Sequence, residues 1–193
     1  VSAWTHDVRR TSLITYCLGR FRIRRYIETG IYEGETIRYF SWFVPEATGC
    51  DINAAAVEIG RARLKADGRT NVTFHACDSE SFLSGLQGEG PLFFYLDSNW
   101  TLIWPVMKEL DIIQKRWANG YVAVVNNVRI RNNPDFGGRE DSSDAQFECL
   151  KSDYTQILVP SYTIHEPYTG YVVLNAFPEK ISYPAIDYFD LCP

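Results

Sequence analysis

The chain has 193 residues, 46% of them hydrophobic and 22% charged, the balance of one soluble domain able to bury a sizeable core. Its net charge of −5 argues against a general binder of nucleic acid or of anionic membranes. Five scattered cysteines without CxxC spacing do not make a zinc finger or a disulfide framework; they fit reduced thiols in a cytoplasmic protein.

No apolar run approaches spanning length and no signal-peptide pattern opens the chain, so no membrane association is expected. Residues 1–23 read as an N-terminal helical segment, a candidate lid. The arginines at 9, 10, 20, 22, 24 and 25 read as a solvated face around the first strand. Arg24–Thr36, RRYIETGIYEGET, predicts a buried strand through Tyr26 and Ile27 that ends on Glu28. A turn with Gly30 and Gly34 follows, and a helix starts near Thr36. A strand entering a glycine turn at a helix N-terminus is how doubly wound α/β folds seat adenosine-bearing ligands. A pyrophosphate disfavours the carboxylates Glu28 and Glu33, whereas the cationic amino-acid end of S-adenosylmethionine welcomes them.

Next, Glu35–Val44 has helical spacing and stops before Pro45. ATGCDI is a short strand ending at Asp51. Asn53–Ala66 is a helix with Asn53 as N-cap and Gly68 beyond its end. Asn71–Asp78 alternates like a strand, Ser79–Leu86 reads as a short helix, and Pro91–Ser98 is apolar enough for a strand buried on both faces. A helix over Leu102–Trp117 precedes the strand Gly120–Val128. Residues 129–143 read as a loop at the active site, long loops in compact domains being commonly functional. Asp144–Tyr154 is a candidate helix. SYTIHEPY and GYVVLNAF meet around Thr169–Gly170, too closely for a crossover helix, so a hairpin is expected. The expected fold is a Rossmann-like doubly wound sheet, parallel except for an antiparallel strand in the C-terminal hairpin, in a single domain over 1–193.

Glu28, Asp51, Asp78 and Asp97 each close a predicted parallel strand, and ligands of open parallel sheets bind outside those ends. Asp51 follows Glu28 by 23 positions, near the ~20-residue offset of an acid that binds ribose hydroxyls. Asp78 is placed for the adenine amino group with Cys77 or Ser79 along the ring, Glu28 for the methionine end, and Asp97 for the reacting centre. Candidate bases are Asp97, His165 and His75; Trp100 and Trp104 are candidate walls of an acceptor pocket, and Tyr32 a candidate packing partner for the donor.

In order, ETGIYEG, GCDI, HACDS and YLDSNW resemble the successive motifs of class I S-adenosylmethionine-dependent methyltransferases over about residues 20–177. Within that superfamily they look most like small-molecule O-methyltransferases of the macrocin type. The resemblance implies a cofactor site of Glu28, Gly30, Tyr32, Gly34, Thr36, Asp51, Ile52, Asp78, Ser79 and Asp97. The reading of the residues themselves adds catalytic roles for Asp97 and His165, and acceptor contacts from Trp100, Asn126 and Asn127. Members of that group often bind a divalent metal through an acid matching Asp97 and an Asp pair. Here the pair is Asn126–Asn127, so the set carries one carboxylate instead of three and weak or no metal binding is expected.

The expected activity is methylation of a hydroxyl on a small molecule, a natural product or a sugar. Two alternatives stand beside it: a donor-binding module that has lost catalysis, and a methyltransferase acting on RNA or protein. Oligomeric state is open.

Overall fold

A computed structural model describes residues 7–98, 105–118, 120–128, 136–137, 153–162 and 168–191, with backbone alone at 136–137, 168–169 and 191. They fall into two compact units, Val1–Ala118 and Asn119–Pro193. Among the described residues no helix is long and apolar enough to cross a membrane.

The first unit alternates helix and strand: α1 (Val8–Arg20), β1 (Arg25–Thr29), α2 (Glu35–Phe40), β2 (Glu46–Asp51), α3 (Ala54–Ala66), β3 (Val72–Ala76), α4 (Ser79–Gly85), β4 (Leu92–Leu96) and α5 (Val106–Arg116). Its strands are all parallel and lie in the order β3-β2-β1-β4. The chain lays β2 and β3 on one side of β1 and then returns to lay β4 on the other. The order therefore reverses at β1 and β4, which makes the carboxyl ends of these two strands the switch point of the fold. All five residues of β4 are buried, as their unbroken apolar run requires. The edge strand β3 buries only Phe74.

Local chemistry explains the helix bounds. Asn53 Oδ1 accepts from the Ala55 and Ala56 amides at 3.1 and 3.3 Å and starts α3, and Gly68 follows its end at φ +64°. The helix expected over Glu35–Val44 divides into α2 and a 3-10 turn, Ser41–Phe43. Val44 is extended because the residue before a proline avoids the α region. Of the helix expected over Leu102–Trp117, residues 106–116 are helical and 102–104 lie outside the described residues.

The second unit holds β5 (Tyr121–Val128), β6 (Phe136–Gly137), β7 (Gln156–Pro160), β8 (Tyr168–Asn175) and β9 (Phe189–Leu191). β8 pairs antiparallel with β5 and β7, and β9 antiparallel with β7. The closing antiparallel pair is present: β8 coincides over 170–175 with the expected arm GYVVLNAF, and 156–160 pairs with it. Thr169 and Gly170 lie inside β8 instead of at the turn. QILVP forms an arm in which Ile157 and Leu158 bury apolar side chains; residues 163–167 of SYTIHEPY lie outside the described residues. The two-residue β6 falls within the expected loop, and β9 has no counterpart in the sequence reading. The helix expected over Asp144–Tyr154 lies almost wholly outside the described residues. The architecture is a Rossmann-like α/β fold, parallel in its first unit and closed by an antiparallel strand in its second.

Candidate functional site

The switch point is closely packed. Gly30 follows β1 at φ +73°, and a Cβ there would lie 2.5 Å from the carbonyl oxygen of Asp97. The Asp97 amide donates to the Thr29 carbonyl at 3.0 Å, extending the β1–β4 ladder by one rung. Glycine is required twice over, by the left-handed backbone and by the approach of a second main chain. Gly34 has a different reason for being glycine. It starts α2 at φ +74°, and a Cβ there would sit 2.6 Å from the ring of Phe74 on β3. Its smallness serves packing beneath the turn.

Glu28 is fully buried inside β1, one residue before the strand's end. Tyr26, two residues back on the same face, donates its hydroxyl to Glu28 Oε2 at 3.0 Å. Tyr26 is itself stacked between Phe40 and Phe93, each ring 5.5 Å away. Burial pushes the Glu28 carboxyl well above the ordinary range, and the nearby Asp97 and Asp51 carboxylates push the same way against the Tyr26 hydrogen bond. A cation brought to this edge would favour ionisation of Glu28.

Asp51 ends β2 and is 5% exposed. Its Oδ2 accepts from the Tyr32 amide at 2.7 Å and its Oδ1 from the Asn53 amide at 2.8 Å. The carboxylate therefore fixes the glycine turn to the start of α3, and each oxygen keeps a further lone pair for a ligand hydroxyl. Tyr32 holds φ +50° with its side chain about half exposed, a backbone cost that clusters at functional turns. Glu33, expected to welcome a cation, is already paired with Arg63. Ile52 is exposed and Thr36 is buried in the first turn of α2.

Asp78 stands apart from the other acids. It lies two residues beyond the end of β3, is exposed, and caps α4 by accepting from the Ser81 amide at 2.8 Å. Those bonds hold its carboxyl below the usual range. His75 is exposed on β3 with its ring 5.3 Å from Phe82, and burial and Arg61 lower its pKa. In the second unit Asn126 is buried, and Asn127 holds φ +61° at an irregularity between Asn126 and Val128 in the β5–β8 ladder. Bulges of this kind re-aim side chains at strand ends. Trp100, Trp104 and His165 lie outside the described residues.

Sequence reasoning missed Glu109, and it placed Arg10 on a solvated face although Arg10 is buried. Glu109 of α5 is 1% exposed and sits against Thr29, Ser79 and Ser98. Its signal was available: it falls between Val106 and Ile113 at helical spacing, an acid on an apolar stripe. Arg10 is buried on α1, with its guanidinium acting on Tyr95. Among the described residues no three His, Cys, Asp or Glu side chains gather in a metal-holding group.

No family model matches the chain, and no curated protein matches its sequence. Its fold, in contrast, is shared with many solved structures. A putative O-methyltransferase from Klebsiella pneumoniae is 16% identical with a TM-score of 0.65, covering 89% of this chain and 83% of its own. The O-methyltransferase TomG from Streptomyces achromogenes, solved with SAM, is 18% identical with a TM-score of 0.63, covering 92% and 81%. An rRNA methylase from Streptococcus thermophilus is 12% identical with a TM-score of 0.60, covering 88% and 96%. Across most of its length the chain has the fold in which these methyltransferases are built.

Proposed function

We propose that the chain is an S-adenosylmethionine-dependent methyltransferase that methylates a hydroxyl group of a small molecule, a natural product or a sugar. The observation that carries this reading is the switch point itself. Gly30 is pressed against Asp97, and Asp51 holds the turn while keeping lone pairs for a diol. Glu28 provides a buried acid whose ionised form a cation would favour.

In this reading Asp51 takes the ribose hydroxyls, with Ile52 and Tyr32 along the nucleoside. Ser79 and Asp78 border the adenine, and Glu28, Gly30, Gly34 and Thr36 form the wall at the methionine end. The bound donor supplies an electrophilic methyl group for in-line displacement. The chain's own residues align the hydroxyl, exclude water and take its proton. Asp97 is the first choice for that proton because it ends the strand at the switch point, and His165 is the second. Trp100, Asn126 and Asn127 are proposed acceptor contacts, the amides being suited to hold a hydroxyl or carbonyl.

The test is calorimetric titration of S-adenosylmethionine and S-adenosylhomocysteine, with NAD as control, into wild type and Asp51→Ala. Binding of both sulfur ligands but not NAD is expected, weakened in the variant by about 1–3 kcal/mol, the scale of a lost charged hydrogen bond. Failure of both ligands to bind folded protein overturns the reading. A second reading, donor binding without catalysis, is favoured by Asn126–Asn127 standing where an acid pair would hold a metal. Donor binding without turnover on small-molecule hydroxyls, with or without Mg²⁺, would select it. Salt-sensitive methylation of RNA would move the acceptor class instead.

A further inference from the structure

The edge strand sends one side chain beneath the glycine turn. Of β3 only Phe74 is buried, and one edge of its ring lies against two glycines from different elements. A Cβ on Gly34 would sit 2.6 Å from Phe74 Cζ and 2.8 Å from its Cε2. A Cβ on Gly60, inside α3, would sit 2.7 Å from the same Cε2 and 3.2 Å from the Glu33 carbonyl oxygen. Glycine inside a helix is costly relative to alanine, and the ring is what leaves no space for alanine here. Two charged side chains of α3 hold the same strand and the same turn. Arg61 donates to the Phe74 carbonyl at 2.6 Å, and Arg63 pairs with Glu33 and, at 3.6 Å, with Glu35. Within the turn, the Gly34 amide donates to the Ile31 carbonyl at 2.7 Å and the Tyr32 amide to Asp51 Oδ2 at the same distance.

We propose that Phe74 is a positioning residue for the candidate donor site. Its ring edge, seated between Gly34 and Gly60, sets where the turn from Gly30 to Gly34 stands and so how Tyr32 meets Asp51. Its weight in ligand binding rests on the donor reading above; its hold on the turn does not. A close-packed interior passes a displacement on instead of absorbing it. A rigid ring has a fixed reach, whereas leucine has no atoms where Cε2 and Cζ touch Gly34, and would leave the turn unsupported from below.

The experiment is a cycle of wild type, Gly60→Ala, Phe74→Leu and the double variant, read by amide hydrogen exchange and by titration of S-adenosylhomocysteine. In the wild-type background, Gly60→Ala should quicken exchange at the Tyr32 and Gly34 amides and weaken the ligand, each about tenfold, by overpacking the ring edge. The Asp97 amide, bonded to Thr29 on the far side of the turn, should stay unchanged. In the Phe74→Leu background the same substitution should change either quantity less than about threefold, since the atoms it strikes are gone. An equal effect in both backgrounds would mean that the new Cβ acts on the Glu33 carbonyl directly, and overturns the proposal. No effect in the wild-type background, or equal quickening at Tyr32, Gly34 and Asp97, overturns it as well. If Gly60→Ala does not fold, Phe74→Leu carries the exchange test alone: quickening greatest at Tyr32 and Gly34 is expected, and uniform quickening counts against it. If wild type binds no S-adenosylhomocysteine, the donor reading fails while the exchange cycle still decides the role of Phe74.

Discussion

The inner strands and the edge strand of the first unit carry one sequence signature and have opposite physics. Glu28 on β1 and Asp51 on β2 are buried and engaged by groups fixed in the fold. Asp78, after β3, is exposed and caps the helix that follows it. An acid near a strand end is buried and held by fixed groups of the fold when neighbouring strands flank it on both sides. At the sheet edge it reverts to the ordinary work of starting a helix. The glycines divide in the same way, Gly30 against backbone at the switch point and Gly34 against the Phe74 ring below it.

The largest expected effect breaks the inner edge outright. Gly30→Ala drives a Cβ into the Asp97 carbonyl at a left-handed residue, and should cost ~3 kcal/mol or more by chemical denaturation. Gly68→Ala, at φ +64° with open space around it, should cost about 1 kcal/mol from the backbone alone. Equal losses would mean that close approach at Gly30 adds nothing.

A similar magnitude is expected from pH. Burial raises the Glu109 carboxyl from 4.5 to about 7. The folded state therefore binds this proton more tightly than the unfolded chain. The associated stability is fully present below about pH 4.5 and is lost as pH rises through about 7, to a total of ~3 kcal/mol. Glu109→Gln should remove that slope from a melting-temperature profile. A slope of the same sign should persist from Glu28, whose carboxyl is also raised. Identical profiles for wild type and Glu109→Gln would show that the carboxyl titrates normally.

How much of this was legible depends on whether a feature is local. α3 could be read because its cap and its terminating glycine are adjacent to it in sequence, and β4 because an unbroken apolar run suits only a strand buried on both faces. The hairpin was legible in kind but shifted in position. QILVP was not read as a strand because its assignment depends on pairing with β8, which lies further along the chain. β9 depends in turn on pairing with β7. At the candidate site, Asp51 is proposed from its offset to Glu28 in the sequence. Its grip on the Tyr32 amide could not be read there, since that bond depends on how the turn folds back. The reason Gly34 is glycine was hidden because Phe74 comes from a different strand. Glu109 was overlooked although it stands among the apolar positions of α5, because only the extent of that helix was read.

The paired variants Asp51→Ala and Asp78→Ala sharpen the comparison furthest. Asp51→Ala leaves two amides without acceptors at a nearly closed position. It should cost ~2 kcal/mol of stability in addition to its loss of donor affinity. Asp78→Ala removes one helix cap at an exposed position, worth about 1 kcal/mol of stability. Its effect on S-adenosylhomocysteine affinity should stay below about threefold, because an exposed carboxylate gains little from a hydrogen bond that water can replace. That last value carries the sharpest information. If Asp78→Ala weakens the ligand as much as Asp51→Ala does, then Asp78 holds the adenine while it caps α4, and position in the sheet does not sort these acids. If affinity is unchanged while α4 frays, a strand-terminal acid marks a ligand only where a strand lies on either side of it.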